Sequence, residues 1–334
     1  MTIKDLANQT GYSIGTVSRV LNNQPHVSDL AREVILKAAQ ESGFQLNANA
    51  KQLKQQHSNS VLVICKGSSN ELFDALLVSI QARISGTQYP LIVDYLDESA
   101  NEVRRGVQLA KEKKPLGILF LGGNREHFLA DFHQIDIPCV LVTNDAAGLP
   151  FPNLSSVTAD DTLAAKMAVE RLIRAGHTNI AVIGGHRSYS ETARLRYQGC
   201  LEAFREHGLT FTDERNYETA RFTYEEGYRA ARALRTRNPD LTALFAMSDV
   251  MAIGAMRYLK DAGVRVPEEV SVMGFDGLEI GDYMIPRMTT IAQNVNALAE
   301  QSLILLRKQI EDGAGASYET VPVQLLWKES TIEI

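Results

Sequence analysis

The sequence predicts an α/β protein in two parts: an all-α headpiece of three short helices, then a core of two α/β lobes with largely parallel sheets. Three observations carry this expectation. At 334 residues the chain is longer than one hydrophobic core usually spans. Its first 45 residues show helical spacing and no strand pattern. From Ser60 onward, short apolar runs alternate with amphipathic segments.

In chain order, Thr2 with Asp5 three residues later reads as a capping box opening a helix near Ile3 to Gln9, which Gly11 breaks. Ser13 caps a second helix running to about Asn22, with Val17, Val20 and Leu21 as its apolar stripe. Ser28 begins a third, with Leu30, Val34, Ile35 and Ala38 at helical spacing and a stop at Ser42-Gly43. Residues 46–59 are rich in Asn, Gln and Lys and read as a linker, which places a headpiece at 1–45 and the core at 60–334.

Strands are expected at Val61, Leu91, Gly117, Cys139, Ile180, Ala243 and Val270, and the segments between most of them are long enough for crossover helices. Strand-like TTIAQN from Thr289, a long helix near Val295 to Glu311 and strand-like VPVQLLW follow, and are expected to return to the first lobe.

Composition narrows the function. A hydrophobic content of 45% with 22% charged residues excludes global disorder, and no run reaches the roughly 18–20 apolar residues that span a bilayer. Lys4 and Asp5 stand where a signal peptide needs an apolar stretch, so the chain is expected to be cytoplasmic. Cys65, Cys139 and Cys200 lack the spacing of a disulfide framework or zinc site and read as buried thiols. The net charge of −6 argues against a whole-surface nucleic-acid binder, yet the first 58 residues hold six Lys and Arg against four Asp and Glu. Gly122-Gly123 and Gly184-Gly185 complete no phosphate-binding motif. His177, His186 and Asp160-Asp161 read as a helix cap and solvated loops rather than metal or acid–base chemistry. No cofactor or metal is implied.

The spacing TIKDLAxxxGYSxxTVSRVLN fits a helix-turn-helix: Ala7 permits close helix approach, Gly11 makes the turn, and Leu6, Val17 and Val20 form the shared core. Ile14, Gly15, Thr16, Ser18 and Arg19 remain on or near the exposed face, where a recognition helix meets base edges and phosphates. Thr2 to Asn22 therefore resembles the N-terminal signature of the lactose-repressor family of bacterial transcription regulators. The resemblance continues through HVSDLAREVILKAAQESGF and over nearly the whole chain, whose remainder looks like that family's effector domain, related in fold to periplasmic sugar-binding proteins.

The resemblance implies a homodimeric, ligand-responsive repressor, not an enzyme, that binds double-stranded operator DNA and a small effector, a sugar or nucleoside. DNA contacts are expected from Thr2, Ser13, Ile14, Gly15, Thr16, Ser18, Arg19, Asn22 and Asn47. By position Leu53 is the leucine that wedges into the minor groove, a role its isolation in a polar linker suits, the alternative being a buried linker contact. The hinge departs from the pattern, with Leu46 in place of proline and Lys51 in place of arginine.

In the core, the resemblance maps effector contacts to Asn70, Phe73, Arg196, Phe222, Ser248, Asp249 and Asp276. Arg offers a planar fork, Asp accepts from hydroxyls, and an aromatic face covers a sugar or base. Alternatives stay open: Asp249 as a helix cap, Arg196 in a surface ion pair, Phe222 in the core. Lys66-Gly67 replaces a common Pro-Asp, and Thr143-Asn144 stands where many sugar binders carry an acid. A rival reading is an α/β enzyme with an accessory helical domain, for which no nucleophile, base or phosphate loop is found.

Overall fold

A computed structural model describes residues 3–21, 27–42, 58–67, 70–188 and 190–334. The chain divides into two compact units, residues 1–58 and residues 59–334.

In the first unit, α1 (Ile3–Thr10), α2 (Ile14–Leu21) and α3 (Asp29–Glu41) pack around buried Leu6, Ala7, Val17, Val20, Ile35, Ala38 and Ala39. Gly11 supplies the turn in the left-handed region, at φ +73°. Ser13 Oγ accepts the Thr16 N–H at 3.1 Å, and Ser28 Oγ accepts the Ala31 N–H at 3.4 Å, so both α2 and α3 have the expected caps. The expected stripe of α3 needs one correction. Ala31, Ile35, Ala38 and Ala39 are buried, whereas Leu30 and Val34 are exposed, because each lies about 100° round the helix from the Ala31–Ile35 row. The capping box at Thr2 and the stop at Gly43 lie outside the described residues.

The second unit contains two six-stranded sheets. The first lobe orders its strands β11-β5-β4-β3-β1-β2, with β1 (Val61–Lys66), β2 (Leu91–Leu96), β3 (Gly117–Leu121), β4 (Cys139–Val142), β5 (Leu154–Thr158) and β11 (Tyr318–Thr320), all parallel. The second lobe orders β12-β10-β9-β8-β6-β7, with β6 (Ile180–Gly184), β7 (Tyr217–Thr219), β8 (Ala243–Ala246), β9 (Ser271–Asp276), β10 (Thr289–Ala292) and β12 (Gln324–Leu326). Only β12 runs antiparallel, beside β10.

Helices α4 (Glu71–Ile84), α5 (Glu102–Lys113) and α6 (Arg125–Asp131) belong to the first lobe, as does the long α12 (Val295–Asp312), which lies on β3, β4, β5 and α4. The second lobe carries α7 (Asp161–Arg174), α8 (Glu191–Glu206), the one-turn α9 (Asp213–Asn216), α10 (Tyr224–Arg237) and α11 (Asp249–Asp261). A Cβ at Gly227 or Gly254 would collide with the backbone of Met251 or Tyr224, so these two glycines let α10 and α11 touch.

The expectation for the C-terminal pieces holds in part. The long helix and β11 return to the first lobe, but TTIA pairs with β9, and the QLL of VPVQLLW pairs with β10, in the second. The chain thus passes between lobes three times: after β5, after β10, and between β11 and β12. No described helix is long and apolar enough to cross a membrane.

Candidate DNA face and effector cleft

On α2 the buried residues are Val17 and Val20, which turns Ile14, Gly15, Ser18 and Arg19 to the opposite side at i, i+4 spacing. Ile14 is 47% exposed, unusual for a branched apolar residue at the start of a short helix. Ser13 Oγ, which caps the helix, also lies 2.9 Å from the Thr16 hydroxyl. Gly15 has ordinary helical backbone, and a Cβ there would meet only Ser13 Oγ at 3.7 Å. Glycine costs about 1 kcal/mol relative to alanine inside a helix. With no packing reason for it, Gly15 fits a surface that must come close to something else. Thr2, Asn22, Asn47 and Leu53 lie outside the described residues.

A cavity of about 380 Å³ opens between the lobes of the core, at the carboxyl ends of both sets of strands, where open α/β sheets bind ligands. Five of the expected residues meet there: Asn70, Phe73, Arg196, Phe222 and Asp276. Arg196 is buried, not part of a surface pair. Its Nε donates to Asp161 Oδ1 at 2.7 Å, its Nη1 donates to the Met247 carbonyl at 2.5 Å, and its guanidinium stacks 3.7 Å above the Phe275 ring. Asp276 Oδ1 lies 3.9 Å from Nη1 and accepts from Gln293 Nε2 at 2.9 Å. Burial lifts the Asp276 carboxyl to about 6, against the opposing pull of Arg196 and Gln293.

Asp276 has φ +121°, and Thr143, just past the end of β4 in the first lobe, has φ +73°. Non-glycine residues avoid this region, so two such outliers on facing strand ends mark backbone held for a purpose. Phe222 is half-buried on the cavity wall rather than in the core; a Cβ at Gly185 would come within 2.7 Å of its ring.

Ser248 and Asp249 do not line the cavity. Ser248 is the cap of α11, accepting the Met251 N–H at 3.3 Å, which leaves Asp249 inside the helix rather than capping it. Asp249 points into the lobe, accepting from the Leu278 N–H at 2.7 Å and the Thr290 hydroxyl at 2.6 Å. Burial, then the charge of Asp276, holds its carboxyl well above the usual range. In this position it fixes the turn after Asp276.

Several cavity residues lie beyond the expected effector contacts. Lys66 donates to the buried Glu102 at 2.5 Å, and Asn144 Oδ1 accepts the Gly123 N–H at 3.1 Å. At the mouth, Arg221 of the second lobe bridges Glu98 at 2.5 Å and Asp97 at 3.0 Å of the first, and the Tyr224 hydroxyl bonds Glu71 across the same gap. Asp160 caps α7 as expected, but Asp161 braces Arg196. His177 is buried between Thr242 and Ile332, whereas His186 lines the cavity. All three cysteines are buried free thiols, and burial pushes Cys65 up to about 12. Among the described residues no cluster of His, Cys, Asp and Glu could hold a metal ion.

Comparison with known proteins adds to this geometry. The model for bacterial regulatory proteins of the lacI family matches residues 2–47, and a periplasmic binding protein-like domain matches residues 169–331. The HTH-type transcriptional regulator MalR of Clostridium butyricum is 30% identical over 337 residues, covering 100% of both chains. The ribose operon repressor of Halalkalibacterium halodurans is 30% identical over 99% of this chain and 97% of its own. Among solved structures, a lac repressor dimer bound to operator and the anti-inducer ONPF superposes with a TM-score of 0.82 at 25% identity, covering 99% of each chain. A complex of the transcriptional regulator CelR with cellobiose gives 0.72 at 26%, again over 99% of each.

Proposed function

Because the chain belongs to the lacI family of bacterial regulatory proteins, we propose that it is a homodimeric transcriptional repressor whose hold on operator DNA is set by a small polyhydroxylated effector bound between the core lobes. The observation that carries this reading is the cavity itself. Its walls come from both lobes and it holds a braced arginine, an ionisable carboxylate and an aromatic ring, in the same chain as a helix exposing Ile14, Gly15 and Arg19. Asp276 accepts from ligand hydroxyls, Arg196 donates to their oxygens, and Phe222 covers an apolar face. The ribose operon repressor and the CelR–cellobiose complex support a sugar as the effector.

A ligand that touches both lobes stabilises one lobe arrangement over another, and the coupling is reciprocal: whatever factor the effector applies to operator affinity, operator applies to effector affinity. On the DNA side, Ile14 meets a thymine methyl, Gly15 admits the backbone of the helix to the groove, and Arg19 reaches a phosphate. Thr2, Asn22 and Asn47 add contacts, and Leu53 acts as the wedge. The test is to select an operator with the full-length protein, then measure its affinity against a panel of sugars, sugar acids, sugar phosphates and nucleosides. Operator affinity that responds to one of them supports the reading; sequence-independent binding with no response to any removes it.

A further inference from the structure

On the first-lobe wall of the cavity Lys66, Asn70 and Asn144 present hydrogen-bond donors, and the reason lies behind each side chain. Asn70 caps α4, so its Oδ1 is taken by the Leu72 N–H at 3.1 Å. Asn144 Oδ1 is taken by the Gly123 N–H at 3.1 Å. A backbone N–H can bond only to the oxygen end of an amide, which fixes the orientation of both side chains. Neither Nδ2 meets an acceptor among the described residues, and both side chains line the cavity. Asn144 is only 6% exposed, so its amide is a buried donor aimed at the cleft.

Lys66 lies on the same wall with its side chain 8% exposed. One of its three N–H bonds goes to Glu102, which is fully buried outside the cavity lining and is itself fixed by the Asn124 N–H at 2.6 Å and His127 Nδ1 at 2.9 Å. The two remaining N–H bonds of Lys66 have no acceptor among the described residues. Arg196 on the opposite wall is braced in the same way by Asp161. The four acids of the lining offer no such charge to these donors: Asp97 and Glu98 are bridged by Arg221, Glu226 is held by Arg229 at 2.9 Å, and Asp276 faces Arg196.

A wall of fixed donors with one braced ammonium matches a group that only accepts. We propose that the effector carries an oxyanion, the carboxylate of a sugar acid or the phosphate of a sugar phosphate, and that Lys66, Asn70 and Asn144 receive it. This deepens the effector reading above and rests on it. Hydroxyls at the other end of the ligand fall to Asp276 and Arg196, so the two walls divide the molecule between an anionic end and a polyol end.

The experiment is calorimetry and operator release with the full-length protein, comparing each of a set of neutral aldoses with its uronic or aldonic acid and with its terminal phosphate. One anionic member is expected to bind at least tenfold tighter than its neutral parent. A win for the acids assigns a carboxylate, and a win for the phosphates assigns a phosphoryl group. Lys66→Met should abolish the preference, and Asn144→Asp guards against a folding defect there: its carboxylate still accepts from Gly123 N–H but sets a negative charge on the wall. Asn144→Asp should weaken the anionic ligand by tenfold or more, and weaken it more than it weakens the neutral parent. A neutral aldose that binds as tightly as both its anionic forms and releases operator overturns the oxyanion assignment while leaving the regulator reading standing. Operator affinity that no compound changes overturns both.

Discussion

Replacing Asp276 with asparagine tests the electrostatics of the cleft from two directions at once. The carboxyl is held at about 6 against an ordinary 3.8, a difference of about two pH units, or about 3 kcal/mol of preference for the neutral form. Between about pH 4 and 6 the folded state keeps a proton that the unfolded state has lost, so the ligand-free protein loses stability as pH rises through this window. Above it the loss is complete. The substituted amide cannot ionise and its carbonyl can still accept from Gln293, so Asp276→Asn should unfold later than the parent at pH 8, by roughly 5 °C, and at a similar temperature at pH 4.

Effector binding should move oppositely. Only the carboxylate accepts from two hydroxyls, so the variant should lose at least tenfold in affinity, and the parent should weaken below pH 6, with about a tenth of its sites ionised at pH 5. Thermal unfolding and calorimetry at pH 4, 5 and 8 measure both. A variant less stable than its parent at pH 8 would refute the claim that Asp276 is kept charged at a cost to the fold.

Other consequences are simpler to read. Arg19→Ala should weaken operator binding and lower the slope of log affinity against log salt by about one, measured by anisotropy from 50 to 200 mM salt; an unchanged slope would remove the phosphate contact. Arg221→Ala cuts the bridge across the cleft mouth, and because that bridge is half exposed the effect should be small, under about fivefold, and confined to faster effector release in stopped flow. Gly254→Ala forces a methyl into the Tyr224 backbone and should cost about 1–3 kcal/mol of stability, read as a lower denaturant midpoint, with operator specificity intact.

What the sequence made legible is what local chemistry decides. Residues 61–65 and Cys139–Val142 are continuous apolar runs and declare themselves as buried parallel strands. Strand β5 does not, because its buried Ser155 and Ser156 are tolerated only through partners far away: Ser317 N–H, Ala146 N–H and Asp145. The same divide runs through the site. Arg196 and Asp276 sit in recognisable motifs and meet in the cavity, but the identity of the acid behind Arg196 depends on α7 lying against α8, which no spacing reveals. Ser248 and Asp249 occupy a matching motif and still face elsewhere, since the direction of a side chain at a helix start is set by what the helix packs on. The donor wall is invisible in the sequence for a related reason, because an asparagine reads as donor or acceptor only once its other end is known to be occupied.

The threefold passage of the chain between lobes bears on how the protein is made. The sheet of the first lobe is complete through β5 by residue 158, yet the helix that covers it, α12, begins at residue 295. At the usual pace of translation, that leaves Leu119, Leu121, Val140, Val142 and Val157 without their native cover for on the order of ten seconds. The headpiece, by contrast, is encoded entirely ahead of the core and packs on its own buried side chains, Leu6, Val17, Val20 and Ile35 among them. A ribosome carrying this chain therefore displays a finished DNA-reading unit well before the lobe that is to govern it can close, and the nascent lobe is the part a chaperone must shield.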